Sequence, residues 1–135
     1  MANYKQLFMN YMDAKGVKYT NSNDHVVKVV YSGDNLKSIP VYVSFDEDGD
    51  SMIQVYCFEI ANFNNNAAAG LLACNELNKK YRWVKFYLDK DNDIICSLDA
   101  YIDDVTCGEE CLKLVRRVVN ITDEAYPTFM KALWS

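Results

Sequence analysis

The hydrophobic period changes within residues 67–89, and this change limits the folds that the chain can adopt. In the first part, apolar residues recur at helical spacing, at Ala67, Leu71, Cys74 and Tyr81. Asn78 lies on the same stripe. From residue 82 the period is two, which places Val84, Phe86 and Leu88 on one face and Trp83, Lys85 and Tyr87 on the other. The segment therefore predicts a helix that leads directly into a two-faced strand.

Short strands and two further helices are predicted in the rest of the chain. A first amphipathic helix carries Tyr4, Leu7 and Phe8 on one face and ends before Gly16. A last helix starts at the capping-box sequence from Thr106 to Glu109 and keeps its phase through Pro127. The other predicted strands span residues 26–31, 39–45, 52–60 and 94–101, and residues 17–24 read as a polar link.

These elements follow the order α-β-β-β-α-β-β-α, which predicts an α+β fold. Tight turns at Asp48-Gly49 and Asp91-Asn92 favour antiparallel hairpins. We expect one domain over residues 1–135, with a five-stranded antiparallel sheet and the first and last helices packed against it.

Composition narrows the classes of partner. The net charge is −5 and half of the residues are hydrophobic, which argues against nucleic-acid binding and against disorder. The N-terminus does not begin a signal peptide, and no apolar run reaches transmembrane length. Five cysteines without a CxxC motif favour a reduced compartment. The expectation is a soluble cytoplasmic protein that does not act at a membrane.

Enzymatic and metal chemistry have little support in the sequence. Glycine-rich phosphate loops, paired histidines and a GxSxG motif are all missing. His25 is the only histidine, and Cys107 and Cys111 have no second ligand cluster beside them. We therefore expect no catalytic residue, no cofactor and no metal. Asn75 and Asn78 are predicted to be structural, with Asn78 bonded to backbone near the helix–strand junction.

The predicted strands divide into an aliphatic face and an aromatic face. The inward set contains Val27, Val29, Tyr31, Val41, Val43, Phe45, Val84, Phe86, Leu88, Ile94, Cys96 and Leu98. Both faces of the third strand are apolar, and its inward set is taken as Ile53, Val55 and Cys57. The outward set then contains Tyr42, Tyr56, Phe58, Trp83, Tyr87 and Tyr101, accompanied by Lys28, Lys85 and Asp99.

A solvated sheet face does not need this many aromatic residues, and two explanations remain open. The rings can be ordinary cross-strand pairs, or can be covered by a terminal segment. Alternatively they form a dimer or partner surface, because large rings with polar tips are typical of protein contacts. The predicted partner-binding residues are Tyr42, Tyr56, Phe58, Trp83, Lys85, Tyr87 and Tyr101.

One pattern in the sequence resembles a known family. The residues that carry it are Asn75-x-x-Asn78-x-x-Tyr81-x-Trp83-x-Lys85-Phe86-Tyr87-Leu88-Asp89, followed by the segment from Val119 to Pro127. They are similar to the YbjN-type domain family of bacteria, labelled "putative bacterial sensory transduction regulator". The similarity is clear over residues 60–133 and weak in the first 60 residues.

The resemblance implies a fold like that of type III secretion chaperones, and this fold has the element order derived above. It also implies a non-enzymatic role in binding another protein, often as a dimer. The function expected is therefore a bacterial protein-interaction module, chaperone-like or regulatory, with a protein partner of unknown identity and a homodimeric state. The alternative is a small-molecule sensor with a pocket between the sheet and the helices.

Overall fold

A computed structural model describes residues 3–46 and 51–134. Within these residues, three helices and six strands form an α+β arrangement, as the sequence predicts. Their bounds are α1 Tyr4–Lys15, β1 Thr20–Asn21, β2 Val26–Tyr31, β3 Ile39–Phe45, β4 Met52–Cys57, α2 Ala67–Lys80, β5 Lys85–Leu88, β6 Ile94–Tyr101 and α3 Cys107–Trp134.

The sheet is antiparallel throughout and has the order β1-β2-β3-β4-β6-β5. The prediction of five strands is wrong by one. The additional strand is β1, whose two exposed residues pair with Lys28 and Val27 of β2. Since β1 has only two residues, both exposed and polar, it shows no alternation in the sequence, and the segment 17–24 therefore read as a link.

Two predicted strands are shorter in the structure. β4 ends at Cys57, and Glu59 has a positive φ of 59°. The next strand, β5, begins at Lys85 instead of residue 82. The predicted turn at Asp91-Asn92 joins β5 to β6, and Asn92 has a φ of 62°. The turn predicted at Asp48-Gly49 lies outside the described residues.

The helices pack against the aliphatic face of the sheet. Most of the predicted inward residues of β2, β3, β4, β5 and β6 are buried, including Val29, Val41, Val55, Phe86 and Cys96. This resolves the ambiguity of the third strand, because Ile53, Val55 and Cys57 point inward. α3 supplies most of the opposing layer and continues as one helix through Pro127. As predicted, α1 ends at Gly16, which has a φ of 70°.

The buried stripe of α2 differs from the predicted one. Gly70, Ala73, Cys74 and Leu77 face the core, whereas Leu71 is 59% exposed. A Cβ on Gly70 would lie 2.8 Å from the Phe63 ring, so the helix approaches its neighbours through small residues. Small residues are weakly hydrophobic, so the spacing of large apolar residues does not reveal such a contact. The predicted stripe was therefore rotated toward Leu71.

No helix within the described residues is both long and apolar enough to span a membrane.

Candidate functional site

Three aromatic residues form a cluster on the outer face of the sheet, opposite the helices. Tyr42 of β3 and Tyr56 of β4 are cross-strand partners, and their rings stack with centroids 5.5 Å apart. Phe58 packs against both, with centroids at 5.0 Å from Tyr42 and 6.1 Å from Tyr56. We call Tyr42, Tyr56 and Phe58 the aromatic cluster. Sequence alternation placed all three on this face, and the structure brings them into contact.

Two lysines border this face. Lys28 is the cross-strand partner of Tyr42, and its ammonium lies 5.9 Å from the centre of that ring. On the edge strand β5, Lys85 lies 5.8 Å from the ring of Tyr87. Cations at this distance are attracted to the electron-rich ring face. The lysines therefore place positive charge beside these rings.

The remaining predicted residues of the outer face lie farther from the cluster. Tyr101, at the end of β6, is 76% exposed and pairs with Met52. Lys85 and Tyr87 lie beyond β6, which separates them from Tyr56. Ser97 of β6 lies between Tyr56 and Lys85. It is fully buried and accepts a hydrogen bond of 3.1 Å from Gln54. Ser97 is therefore covered by its neighbours, although it lies on the outer face.

Trp83 does not belong to the outer face, so its predicted position is wrong. The Val84 N–H donates to the Arg82 carbonyl at 2.8 Å, and Trp83 between them has a φ of 77°. This is a γ-turn of the rarer kind with a positive central φ. The turn breaks the two-residue alternation before β5 begins. The Trp83 ring instead lies 4.6 Å from the guanidinium of Arg117 on α3.

Trp83 forms one wall of a groove that sequence reasoning missed. The groove runs between α3 and the segment from the end of α2 to Trp83, with a volume of about 730 Å³. It is lined by Lys80, Tyr81, Arg82, Trp83, Lys113, Arg116, Arg117, Asn120, Ile121 and Glu124. We call it the basic groove. Its cations come from distant parts of the sequence, and only the spacing along α3 could have indicated it.

Asn78 holds the free edge of the sheet. Its side-chain amide donates to the Phe86 carbonyl at 3.0 Å, and its oxygen accepts from the Phe86 N–H at 2.7 Å. β5 is an edge strand, and these two backbone groups have no neighbouring strand to bond. Asn78 itself is exposed, and so is Asn75. The backbone bonding predicted for Asn78 is therefore present, while its contribution to stability, and that of Asn75, stay predictions.

Asp123 of α3 makes comparable bonds to the backbone of the β2–β3 loop, in the half of the sheet away from β5. Its carboxylate accepts from the backbone N–H groups of Asp34, Asn35 and Leu36 at 2.8–3.0 Å. The Asn35 side chain in turn donates to the Asp123 carbonyl at 3.0 Å. Burial acts to raise the pKa of Asp123, but the three N–H groups and the nearby Lys37 lower it overall. The β2–β3 loop is thereby attached to α3.

The described residues also include an acidic turn and a set of buried thiols. Asp89, Asp91 and Asp93 approach one another within 4.8 Å in the β5–β6 turn, where the Asp89 carboxylate accepts from the N–H groups of the other two. All five cysteines are free and buried. Burial raises the pKa of Cys57 and of Cys96 to about 12, so both remain protonated thiols at neutral pH.

Solved structures with the same arrangement define the class of fold. The type III secretion chaperone SycH of Yersinia pestis, in complex with a stable fragment of YscM2, matches with a TM-score of 0.50 and 12% identity. The match covers 88% of this chain and 99% of that chain. The fold is therefore an antiparallel α+β fold that resembles type III secretion chaperones.

The family follows from the sequence profile. The YbjN family, described as "Putative bacterial sensory transduction regulator", matches residues 6–131, and the chain belongs to this family. The crystal structure of YbjN from E. coli, described as a putative transcription regulator, matches with a TM-score of 0.65 and 13% identity. That match covers 90% of this chain and 87% of that chain. A comparison with curated proteins found no match.

Proposed function

We propose that this protein is a non-enzymatic, cytoplasmic protein-interaction module, chaperone-like or regulatory, that binds through the outer face of its sheet. The observation that carries the proposal is the aromatic cluster on a face that the helices leave uncovered. The bound segment would come from a second copy of the chain or from a protein partner. Membership of the YbjN family supports a regulatory role, and the chaperone-like fold supports the binding of protein segments.

The energetics of the outer face favour association. Phe58 and Tyr87 are each more than a third exposed, and Val30 of β2 is 54% exposed. Large exposed apolar patches are uncommon on monomers and frequent at interfaces. Tyrosine and tryptophan anchors often contribute 2 kcal/mol or more to binding, which is about thirtyfold in affinity.

The way the core is filled also favours the outer face as the binding surface. Folding uses the inner face, where Phe129 of α3 packs against Phe63 and Phe86 with centroids 6.2 and 5.6 Å apart. These rings fill part of the space between the sheet and the helices, where the alternative function, a small-molecule sensor, would need its pocket. The aromatic cluster contributes little to this core, so its residues can be changed without emptying it.

The test is a double change, Tyr56→Ser with Phe58→Ser, compared with Leu71→Ser and Leu72→Ser. The control pair removes two exposed leucines from α2, a surface away from the cluster. Sedimentation over a range of concentrations should show self-association of the wild type and of the control. The cluster variant should associate at least about thirtyfold more weakly.

Circular dichroism should show that both variants remain folded. If the wild type is monomeric, capture of partners from bacterial lysate replaces sedimentation as the assay, with the same two variants. Loss of association in the leucine variant alone would move the interface to α2. Unchanged association and unchanged capture in the cluster variant would refute the proposal.

A further inference from the structure

The basic groove concentrates positive charge in a chain that is acidic overall. It holds five of the chain's 14 basic residues and one acidic residue, although the whole chain has a net charge of −5. Lys80 and Arg82 lie on one wall, and Lys113, Arg116 and Arg117 on the other. Such a cluster stores electrostatic repulsion, which a bound anion would relieve.

The cations of the groove have few opposing charges. Lys113 forms an exposed ion pair with Glu110, at 3.6 Å, and exposed pairs of this kind are weak. Arg116 donates to the Tyr31 hydroxyl at 3.3 Å, which is a neutral partner. Arg117 is held against the Trp83 ring. Stacked in this way, its guanidinium is oriented in advance and can still bind a carboxylate through two N–H groups.

The shape of the groove fits an extended peptide. Lys113, Arg117, Asn120 and Glu124 follow one face of α3, a distance of about 16 Å at 1.5 Å per residue. An extended chain covers this length with about five residues. Trp83 is 64% exposed beside the cations, so an apolar side chain of the peptide could pack on its ring. Trp and Arg, with Tyr, are enriched at binding hot spots.

We propose that the basic groove is a second binding site, which takes a short extended peptide segment rich in acidic residues and carrying one apolar side chain. The site goes beyond the proposed function, because it uses a different surface and can bind whether or not the aromatic cluster does. The γ-turn at Trp83 supports the site, since strained backbone conformations persist where the surrounding structure holds them and cluster at ligand contacts.

The test uses a blocked six-residue peptide of glutamates with one central leucine. A peptide with glutamines in place of the glutamates is its control. The sequence contains two tryptophans, so in a Trp134→Phe background the fluorescence of Trp83 reports on the groove alone. The acidic peptide should change this fluorescence saturably, the glutamine peptide should not, and added salt should weaken the binding.

Charge reversal provides the decisive comparison, with affinities from calorimetry. Arg82→Glu with Arg117→Glu should weaken binding of the acidic peptide by about tenfold or more. Lys18→Glu with Lys131→Glu changes the net charge equally, away from the groove, and should change the affinity less than about twofold. The variant Tyr56→Ser with Phe58→Ser should bind the peptide as the wild type does. If charge reversal disturbs the fold, the variant Arg82→Gln with Arg117→Gln is measured in its place.

Three results would overturn the proposal. The first is no binding of the acidic peptide at low salt. The second is equal weakening in the groove variant and in the control variant, which would indicate attraction by net charge alone. The third is tighter binding of inorganic phosphate or of a single-stranded oligonucleotide than of the peptide, which would assign the groove to phosphate groups.

Discussion

Two regions of the sheet, the edge strand β5 and the β2–β3 loop, are attached to the helices in different ways. At the β5 edge, the neutral amide of Asn78 makes two hydrogen bonds to Phe86. At the β2–β3 loop, the charged carboxylate of Asp123 accepts three backbone N–H groups. In both places a helix side chain bonds backbone groups that would otherwise have only water as a partner.

The difference lies in charge and in geometry. A carboxylate only accepts, so it suits a loop whose successive N–H groups converge. An amide donates and accepts, so it suits an edge strand, where one residue presents both its N–H and its C=O. Hydrogen bonds to an ionised group are also about twice as strong as neutral ones, which makes Asp123 the more important of the two attachments.

Loss of the carboxylate should have the largest effect on stability. Asp123→Ala removes the partner of three N–H groups, and we expect it to lower the free energy of unfolding by about 2–3 kcal/mol. Urea denaturation measures the change. Asp123→Asn, which keeps an acceptor oxygen without the charge, should cost less. Equal stability of wild type and Asp123→Ala would show that water replaces the carboxylate without loss.

The same site should make stability depend on pH. The pKa of Asp123 is lowered in the folded state, against about 3.9 for an unperturbed aspartate. Its contribution is therefore fully present above the unfolded pKa and is lost as the pH falls through the folded one. The stability difference between wild type and Asp123→Asn should narrow below about pH 4. A constant difference down to pH 2 would contradict this assignment.

The neutral attachment should be weaker. Asn78→Leu leaves the N–H and C=O of Phe86 without their side-chain partner, and we expect a loss of about 1–2 kcal/mol. Asn75→Leu is the matched control, because Asn75 is also exposed and lies one turn earlier on α2. It should change stability by less than about 0.5 kcal/mol. Equal effects of the two changes would remove the special role of Asn78.

The smallest effect concerns the turn between Asn78 and β5. At Trp83, where φ is 77°, glycine carries no steric penalty and alanine does. Both changes remove the contact with Arg117, so their difference reports the backbone strain less the entropy that glycine adds to the unfolded chain. Trp83→Gly should be more stable than Trp83→Ala by about 1 kcal/mol in thermal or urea unfolding. The reverse order would show that the turn relaxes when the ring is removed.

Most of the fold could be predicted from the sequence, because apolar residues recur with the periods of strands and helices. Val27, Val41 and Phe86 lie inward as alternation requires, since successive side chains in a strand must point to opposite faces. The same rule places Tyr42 and Tyr56 on the outer face. Alternation fails for β1, which is too short to show a period. Helical spacing fails at Leu71, because small residues form the real contact of α2.

Only part of the candidate functional site could be predicted, because only part of it depends on local spacing in the sequence. By itself, the sequence determined the two-faced strands, the aromatic cluster and the amide near the helix–strand junction, all of which follow from local spacing. Only the tertiary structure decided the position of Trp83 and the existence of the basic groove. A single γ-turn ends the alternation there, and the groove forms because packing brings Arg82 and Arg117 together across 35 positions of sequence.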